Sequence, residues 1–158
     1  RGGYEGLASR IEDPSWWPDH GPAGLDPRVG AVAVGARPFL IAFNAYLNTQ
    51  DVEVARAVAR EVRERDGGLP AVRALGLEVG GAAQVSMNLT DLERTSLPVA
   101  LEAVRAAAAR HGANVESTEL VGLAPLEAIL QTARYYLSLR ELEAGQVLEM
   151  RLHDEPGT

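Results

Sequence analysis

The chain has 158 residues, 46% hydrophobic and 23% charged, the length and make-up of one ordinary globular domain. Its formal net charge of −7 disfavours nucleic acid or an anionic membrane surface as partner, because both need a basic face. Without cysteine it can form no disulfide, thiolate nucleophile or thiolate metal site, and all 15 basic residues are arginine, so no lysine is present to form a Schiff base.

The chain opens RGGYEGLASR with no initiator methionine, which reads as a piece of a longer protein. No signal peptide is visible, and no apolar run nears the roughly 18–20 residues of a membrane helix. A cytoplasmic setting is the expectation. Residues 1–12 have weak helical character, with Tyr4, Leu7, Ala8 and Ile11 on one side. Residues 13–28, DPSWWPDHGPAGLDPR, are too rich in proline for regular structure and carry both tryptophans. A short edge strand is expected at Val29–Val34 and a longer strand at Phe39–Asn48. In the latter, Phe39, Ile41, Phe43 and Leu47 alternate with Ala42, Asn44, Tyr46 and Asn48.

A helix follows, capped by Thr49, with Val52, Ala55, Val58, Ala59 and Val62 on its buried stripe and Gly67–Gly68 as the stop. Ala71–Val79 and residues 83–90 form two strands joined through Gly80–Gly81. Ser96 is expected to cap a second helix, which tolerates Pro98 in its first turn and ends at Gly112. Val115–Val121 is the fourth core strand. Pro125 opens a last helix running to about Gly145, and residues 146–158 read as frayed or weakly extended.

Strand, helix, strand, strand, helix, strand is the order of an α+β, ferredoxin-like βαββαβ fold: an antiparallel sheet with helices on one face, here with an extra C-terminal helix. The divisions expected are a connector with a Trp/Pro-rich loop at 1–28, the ferredoxin-like body at 29–145, and a tail at 146–158. The apolar rows of the strands must meet the helices. Gln84, Ser86, Asn88 and Thr90 in the stretch GAAQVSMNLTD therefore share the uncovered face with Asn44, Tyr46 and Asn48. Neutral amides and hydroxyls suit a sheltered polar surface better than bulk water, although a solvated sheet face has the same composition.

Isolated candidates have competing structural readings. Trp16 and Trp17 could simply pack, and His20 in PDHGP could be a loop residue or a proton shuttle. Arg37 in GARPF could fork onto a carboxylate. His20, His111 and His153 have no metal-ligand spacing, so no metal is expected. Glu116 and Glu119 fall on opposite faces of an extended segment and do not form an acid/base pair. No GxSxG, Walker or Rossmann pattern is present.

Four stretches, DPSWWPDHGP, GAVAVGARPFLIAFNAYLNT, AAQVSMNLTD and ELVGLAPLEAIL, resemble in content and order the C-terminal subdomain of glutamate formiminotransferase (glutamate formimidoyltransferase). The resemblance spans roughly residues 3–138. It implies a transferase that moves the formimino group from N-formiminoglutamate to N5 of tetrahydrofolate, in histidine degradation and one-carbon metabolism. Tetrahydrofolate is then the co-substrate, and the partner is an N-terminal formiminotransferase subdomain whose sheet faces this one across the folate cleft. By motif match the implied folate-side residues are Trp17, Pro18, Asp19 and Gly21 in the connector loop, with Arg37, Asn44, Gln84, Ser86 and Asn88.

Two departures qualify it. The family's catalytic histidine belongs to the N-terminal subdomain, and none of the three histidines here matches it. Some relatives also have an aromatic where His20 stands. No catalytic residue is therefore assigned, and this segment alone is expected to be inactive. The cyclodeaminase domain of animal versions is absent from the segment. Two other readings compete: a non-enzymatic, ligand-binding or regulatory ferredoxin-like module that forms a homodimer through its open sheet face, and an orphan sheet-pairing protein with no folate affinity.

Overall fold

The computed structural model describes residues 6–26 and 28–153, in two units, Arg1–Arg37 and Pro38–Thr158. In the first unit, helix α1 (Leu7–Arg10) is a single turn closed by the Ile11 N–H on the Leu7 carbonyl at 2.9 Å. Of the helix expected over 1–12, residues 1–5 lie outside the described residues. A 3₁₀ turn, Pro14–Trp16, follows. Asp13 caps it, accepting from the Ser15 N–H at 2.9 Å, and that bond lowers the Asp13 pKa. Proline fixes φ at the first position of this turn, as it does for a helix start.

The strand expected at Val29–Val34 does not form. Residues 31–40 have no regular structure, and Val29, Val32 and Val34 stand more than four-fifths exposed. A strand needs a neighbour for its backbone groups, and this stretch has only an isolated bridge between Asp26 and Gly30. β-branched side chains alone do not supply that neighbour.

The second unit carries the sheet. Strand β1 (Ile41–Leu47) alternates buried and half-buried residues along its whole length, as its period-2 sequence requires. Phe39, expected within it, precedes it and is exposed. Helix α2 (Val52–Val62) is capped by Asp51 rather than Thr49: the Asp51 carboxylate accepts from the Glu53 N–H at 2.9 Å. Thr49 lies too far upstream to reach that donor and instead accepts from the Asp51 N–H at 3.2 Å. The helix also stops ahead of Gly67–Gly68, because Arg63 turns extended and a 3₁₀ turn, Glu64–Asp66, intervenes.

Strands β2 (Val72–Val79) and β3 (Ala82–Leu89) form a hairpin around Gly80 and Gly81, both with positive φ, as its tight turn demands. Helix α3 (Leu97–Arg110) begins after Ser96, whose side chain makes no cap bond. Strand β4 (Val115–Val121) completes an antiparallel sheet of order β2-β3-β1-β4. The strand order and the helical crossovers are those of the ferredoxin-like fold.

Helices α2 and α3 cover one face of this sheet. Ile41, Phe43, Ala45 and Leu47 from β1, with Val85, Met87 and Leu89 from β3, meet Val58, Val62, Ala100 and Val104 in a single core. Gly76 on β2 lies so close to α2 that a Cβ there would collide with the backbone of Ala55 and Arg56.

Helix α4 (Leu126–Leu137) packs on α3 and ends well before Gly145, where Ser138 adopts a left-handed conformation with φ 54°. The tail is not extended as expected. A 3₁₀ turn at Ala144–Gln146 leads into helix α5 (Leu148–His153), because Glu143 and Gln146 cap each other reciprocally. Residues 154–158 lie outside the described residues.

Candidate functional site

The sheet face away from α2 and α3 has its rows fixed by strand register. One row crosses Leu75, Ser86, Asn44 and Glu119, from β2 through β3 and β1 to β4. The next row on one side is Leu77, Gln84, Tyr46 and Ser117; on the other it is Arg73, Asn88, Ala42 and Val121. Residues directly opposite in antiparallel strands project to the same face. Asn44, Gln84, Ser86 and Asn88 therefore line one surface, and it is not the surface under the helices.

At the β4 end, Asn44 Nδ2 donates to Glu119 Oε2 at 3.1 Å, and the Tyr46 hydroxyl donates to the same oxygen at 3.2 Å. A carboxylate only accepts, so the Asn44 amide must turn its NH₂ toward Glu119 and keep its carbonyl for another partner. Glu119 Oε1 accepts from no group among the described residues.

Gln84, one strand over, is only 4% exposed although it sits on the uncovered face. No buried side-chain nitrogen or oxygen among the described residues lacks a hydrogen-bond partner, so Gln84 is not an orphaned amide. At the opposite edge, β2 presents Leu75 and Leu77, 60% and 40% exposed, beside Arg73, which makes no ion pair among the described residues. The face thus runs from an acceptor-rich end on β4 to an apolar and cationic end on β2.

The remaining expected residues belong to the first unit. Trp17, Pro18, Asp19 and Gly21 are exposed in the loop after the 3₁₀ turn, and Gly21 has φ 103°, a conformation that favours glycine. Trp16 is half-buried beneath the Arg10 guanidinium, 4.8 Å from its ring centre, a cation–π contact that gives this tryptophan a structural role. His20 is exposed and Arg37 is exposed at the end of the unit.

Glu119 and Tyr46 were not among the residues singled out as folate-side in the sequence. The signal available for Glu119 was its place as first residue of ELVGLAPLEAIL; only the register showed that it meets Asn44. His111 belongs elsewhere, bonded through Nε2 to Glu61 Oε1 at 2.6 Å, with α3 tied to α2. A groove of about 370 Å³ on the helix layer, between Leu92–Val99 and Gln131–Tyr135, has its cations already engaged: Arg94 with Glu64, and Arg134 with Glu127 and the Leu142 carbonyl. No group of three or more His, Asp or Glu placed to hold a metal occurs among the described residues.

A four-stranded antiparallel sheet with helices on one face and polar side chains on the other defines an α+β domain of the ferredoxin-like type. More particularly, residues 42–150 match the model of the formiminotransferase domain, and the chain belongs to that family. It is 40% identical over 151 residues to a glutamate formimidoyltransferase of Thermoplasma acidophilum, covering 94% of this chain and 50% of that protein. It is 37% identical to the glutamate formimidoyltransferase of Streptococcus pyogenes serotype M1, over 96% of the chain and 52% of the relative. A formimidoyltransferase-cyclodeaminase of Mus musculus is 39% identical over 89% of the chain and 27% of its own length. The chain thus spans about half the length of the two transferases it matches.

Proposed function

We propose that this chain is the C-terminal, folate-binding half of an enzyme that transfers the formimino group from N-formiminoglutamate to N5 of tetrahydrofolate, releasing glutamate. The observation that carries the reading is the uncovered sheet face. In a domain of the formiminotransferase family, the conformation puts Asn44, Gln84, Ser86 and Asn88 on one surface free of helices. Such a surface supplies directional hydrogen bonds for a polar heterocycle, and a second subdomain laid over it would exclude water.

The N-terminal subdomain is the partner this reading requires, because group transfer gains much of its rate from holding donor and acceptor together. One wall of a cleft cannot do that, so the segment is inactive by itself. The setting is cytoplasmic, in histidine degradation. The net negative charge is no obstacle, since the field inside the cleft decides whether an anion binds, and Arg73 lies on the face itself.

Calorimetric titration with folinic acid tests this directly. The isolated segment is expected to bind weakly, and the segment joined to a formiminotransferase N-terminal half is expected to bind tightly and to turn over formiminoglutamate. Absence of both binding and turnover in the rejoined protein overturns the assignment.

A further inference from the structure

We infer that residues 31–36 are a strand of the N-terminal subdomain's sheet, carried by this chain across the boundary between the two halves. This rests on the partner half proposed above and names which residues that half takes up and how.

The stretch from 29 to 36 reads VGAVAVGA, without one charged or hydrogen-bonding side chain. In an extended chain Val32, Val34 and Ala36 fall on one face, and Ala31, Ala33 and Gly35 on the other. Valine favours that conformation, and a strand apolar on both faces is the kind that other layers cover on both faces. Its bounds are those of a strand as well. A turn closed by the Gly30 N–H on the Asp26 carbonyl at 2.7 Å, with Gly30 at φ 74°, leads into it. Pro38, which cannot donate to a ladder, follows it. Yet residues 31–36 are all exposed, Val32 and Val34 at 88% and 93%, and they make no hydrogen bond among the described residues. The segment has every local feature of a buried strand except its neighbours.

This chain's own sheet does not offer them. β4 is exposed along nearly its whole length, so a strand added beside it would stay wet on both faces. At β2 the Arg63 guanidinium donates to the Ala74 carbonyl at 3.3 Å and caps the free edge there. Two copies of the segment paired with each other would form a ribbon with both faces bare, which is marginal in water. The segment also lies ahead of the domain: the family match begins at residue 42, and Arg1–Arg37 is a unit separate from Pro38–Thr158. The matched transferases are about twice as long, which leaves a half of similar size to supply the sheet. Because β1 starts at Ile41, a strand embedded in that half would tether the two halves within a few residues of each other.

Amide hydrogen exchange tests the pairing, run on the full-length protein carrying this chain and on the 158-residue chain alone. In the chain alone, residues 31–36 are expected to exchange at the rate of an unstructured peptide. In the full-length protein they are expected to exchange at least about 100-fold more slowly, at high and low protein concentration alike. Val34→Asp is expected to lower the melting temperature of the full-length protein by several degrees or to prevent its folding, and to leave that of the chain alone within about 1 °C.

Fast exchange at 31–36 in a full-length protein that turns over formiminoglutamate overturns the pairing and leaves the functional reading intact. Protection that fades on dilution overturns it in favour of a second copy, and equal protection in the chain alone overturns it in favour of this chain's own sheet. A full-length protein that shows the protection but binds no folinic acid supports the pairing and overturns the functional reading alone.

Discussion

Asn44 on β1 donates through Nδ2 to Glu119 on β4 at 3.1 Å, joining two strands through side chains on the face that the helices leave bare. The contact polarises that face. It fixes a carboxylate at one side, fixes the amide's orientation, and leaves the second carboxylate oxygen without a donor among the described residues.

Replacing Asn44 with aspartate would set two carboxylates against each other where one donor now stands. Like charges on opposed strand positions are destabilising, and one of the pair would hold a proton to higher pH than usual. Asn44→Asp is therefore expected to lower stability at pH 7 by about 1 kcal/mol. Because the folded state would bind the extra proton more readily than the unfolded chain, the deficit should shrink as pH falls toward 4 and as salt rises. Thermal melts at two pH values and two salt concentrations check it. A deficit indifferent to both would mean that the lost amide geometry, rather than charge, dominates.

Gly76 brings the sheet close against helix α2. Its missing side chain lets β2 pass the backbone of Ala55 and Arg56, and neither backbone can rotate away as a flexible side chain could. Gly76→Ala is expected to cost about 1–3 kcal/mol by pushing α2 outward, against the roughly 0.4–1 kcal/mol that the same change gains at an open, compatible position. Urea unfolding measures it, with the exposed Gly35→Ala as comparison, where a Cβ meets nothing within 4 Å. Equal stabilities for the two variants would refute the close-approach argument.

The contrast between these two glycines also shows how far the sequence could be read. Alternation in FLIAFNAYLN and GAAQVSMNLTD identified two core strands and their inward rows, because period-2 burial leaves a direct imprint on composition. Helix stripes did the same for α2 and α3. The short segment Val29–Val34 has equally suitable residues and forms no strand, since pairing depends on a neighbour that local sequence does not encode. Helix ends were displaced at Thr49, Gly67 and Gly145, where a competing cap or turn decided the boundary.

The polar face was legible as a set, but the link between Asn44 and Glu119 was not. They are 75 residues apart in sequence, and only the β1–β4 register makes them neighbours. Loop residues such as Trp17 and Asp19 were singled out by motif likeness, which says which residues recur and not which surface they meet.

On the helix layer, Glu61 of α2 receives the Arg110 guanidinium and the His111 ring from the end of α3. The Arg110 bond, and then the His111 bond, lower the Glu61 pKa. The unfolded chain therefore takes up a proton at higher pH than the folded one, so this contribution is complete above the ordinary carboxylate range and disappears as pH falls through the lowered value. The group is more than one-third exposed, and solvent screening limits the effect to less than about 1 kcal/mol. Glu61→Gln should thus lower the melting temperature by a few degrees at pH 7 and by progressively less as pH falls below the ordinary carboxylate range. A difference that persists at low pH would assign the effect to packing.

Tyr136 joins α4 to α3 by a second polar bridge, its hydroxyl donating to Glu102 Oε1 at 2.7 Å while Arg105 donates to the same oxygen at 2.6 Å. Burial first, then the hydrogen bond to Glu102, raise the Tyr136 pKa to about 12. The folded protein therefore keeps this phenolic proton after the unfolded chain has lost its own. The resulting stabilisation is whole below about pH 10 and is lost as pH climbs toward 12. Tyr136→Phe removes the donor but leaves the ring in its edge-on contact with Tyr135, whose centroid is 5.0 Å away. Because the site is partly solvated, the expected cost at pH 7 is at most about 1 kcal/mol. Ultraviolet titration of the phenols gives an independent reading: one late-ionising tyrosine should be visible in the parent and missing in Tyr136→Phe. If no late-ionising tyrosine is seen in the parent, the bridge to Glu102 is not closed in solution.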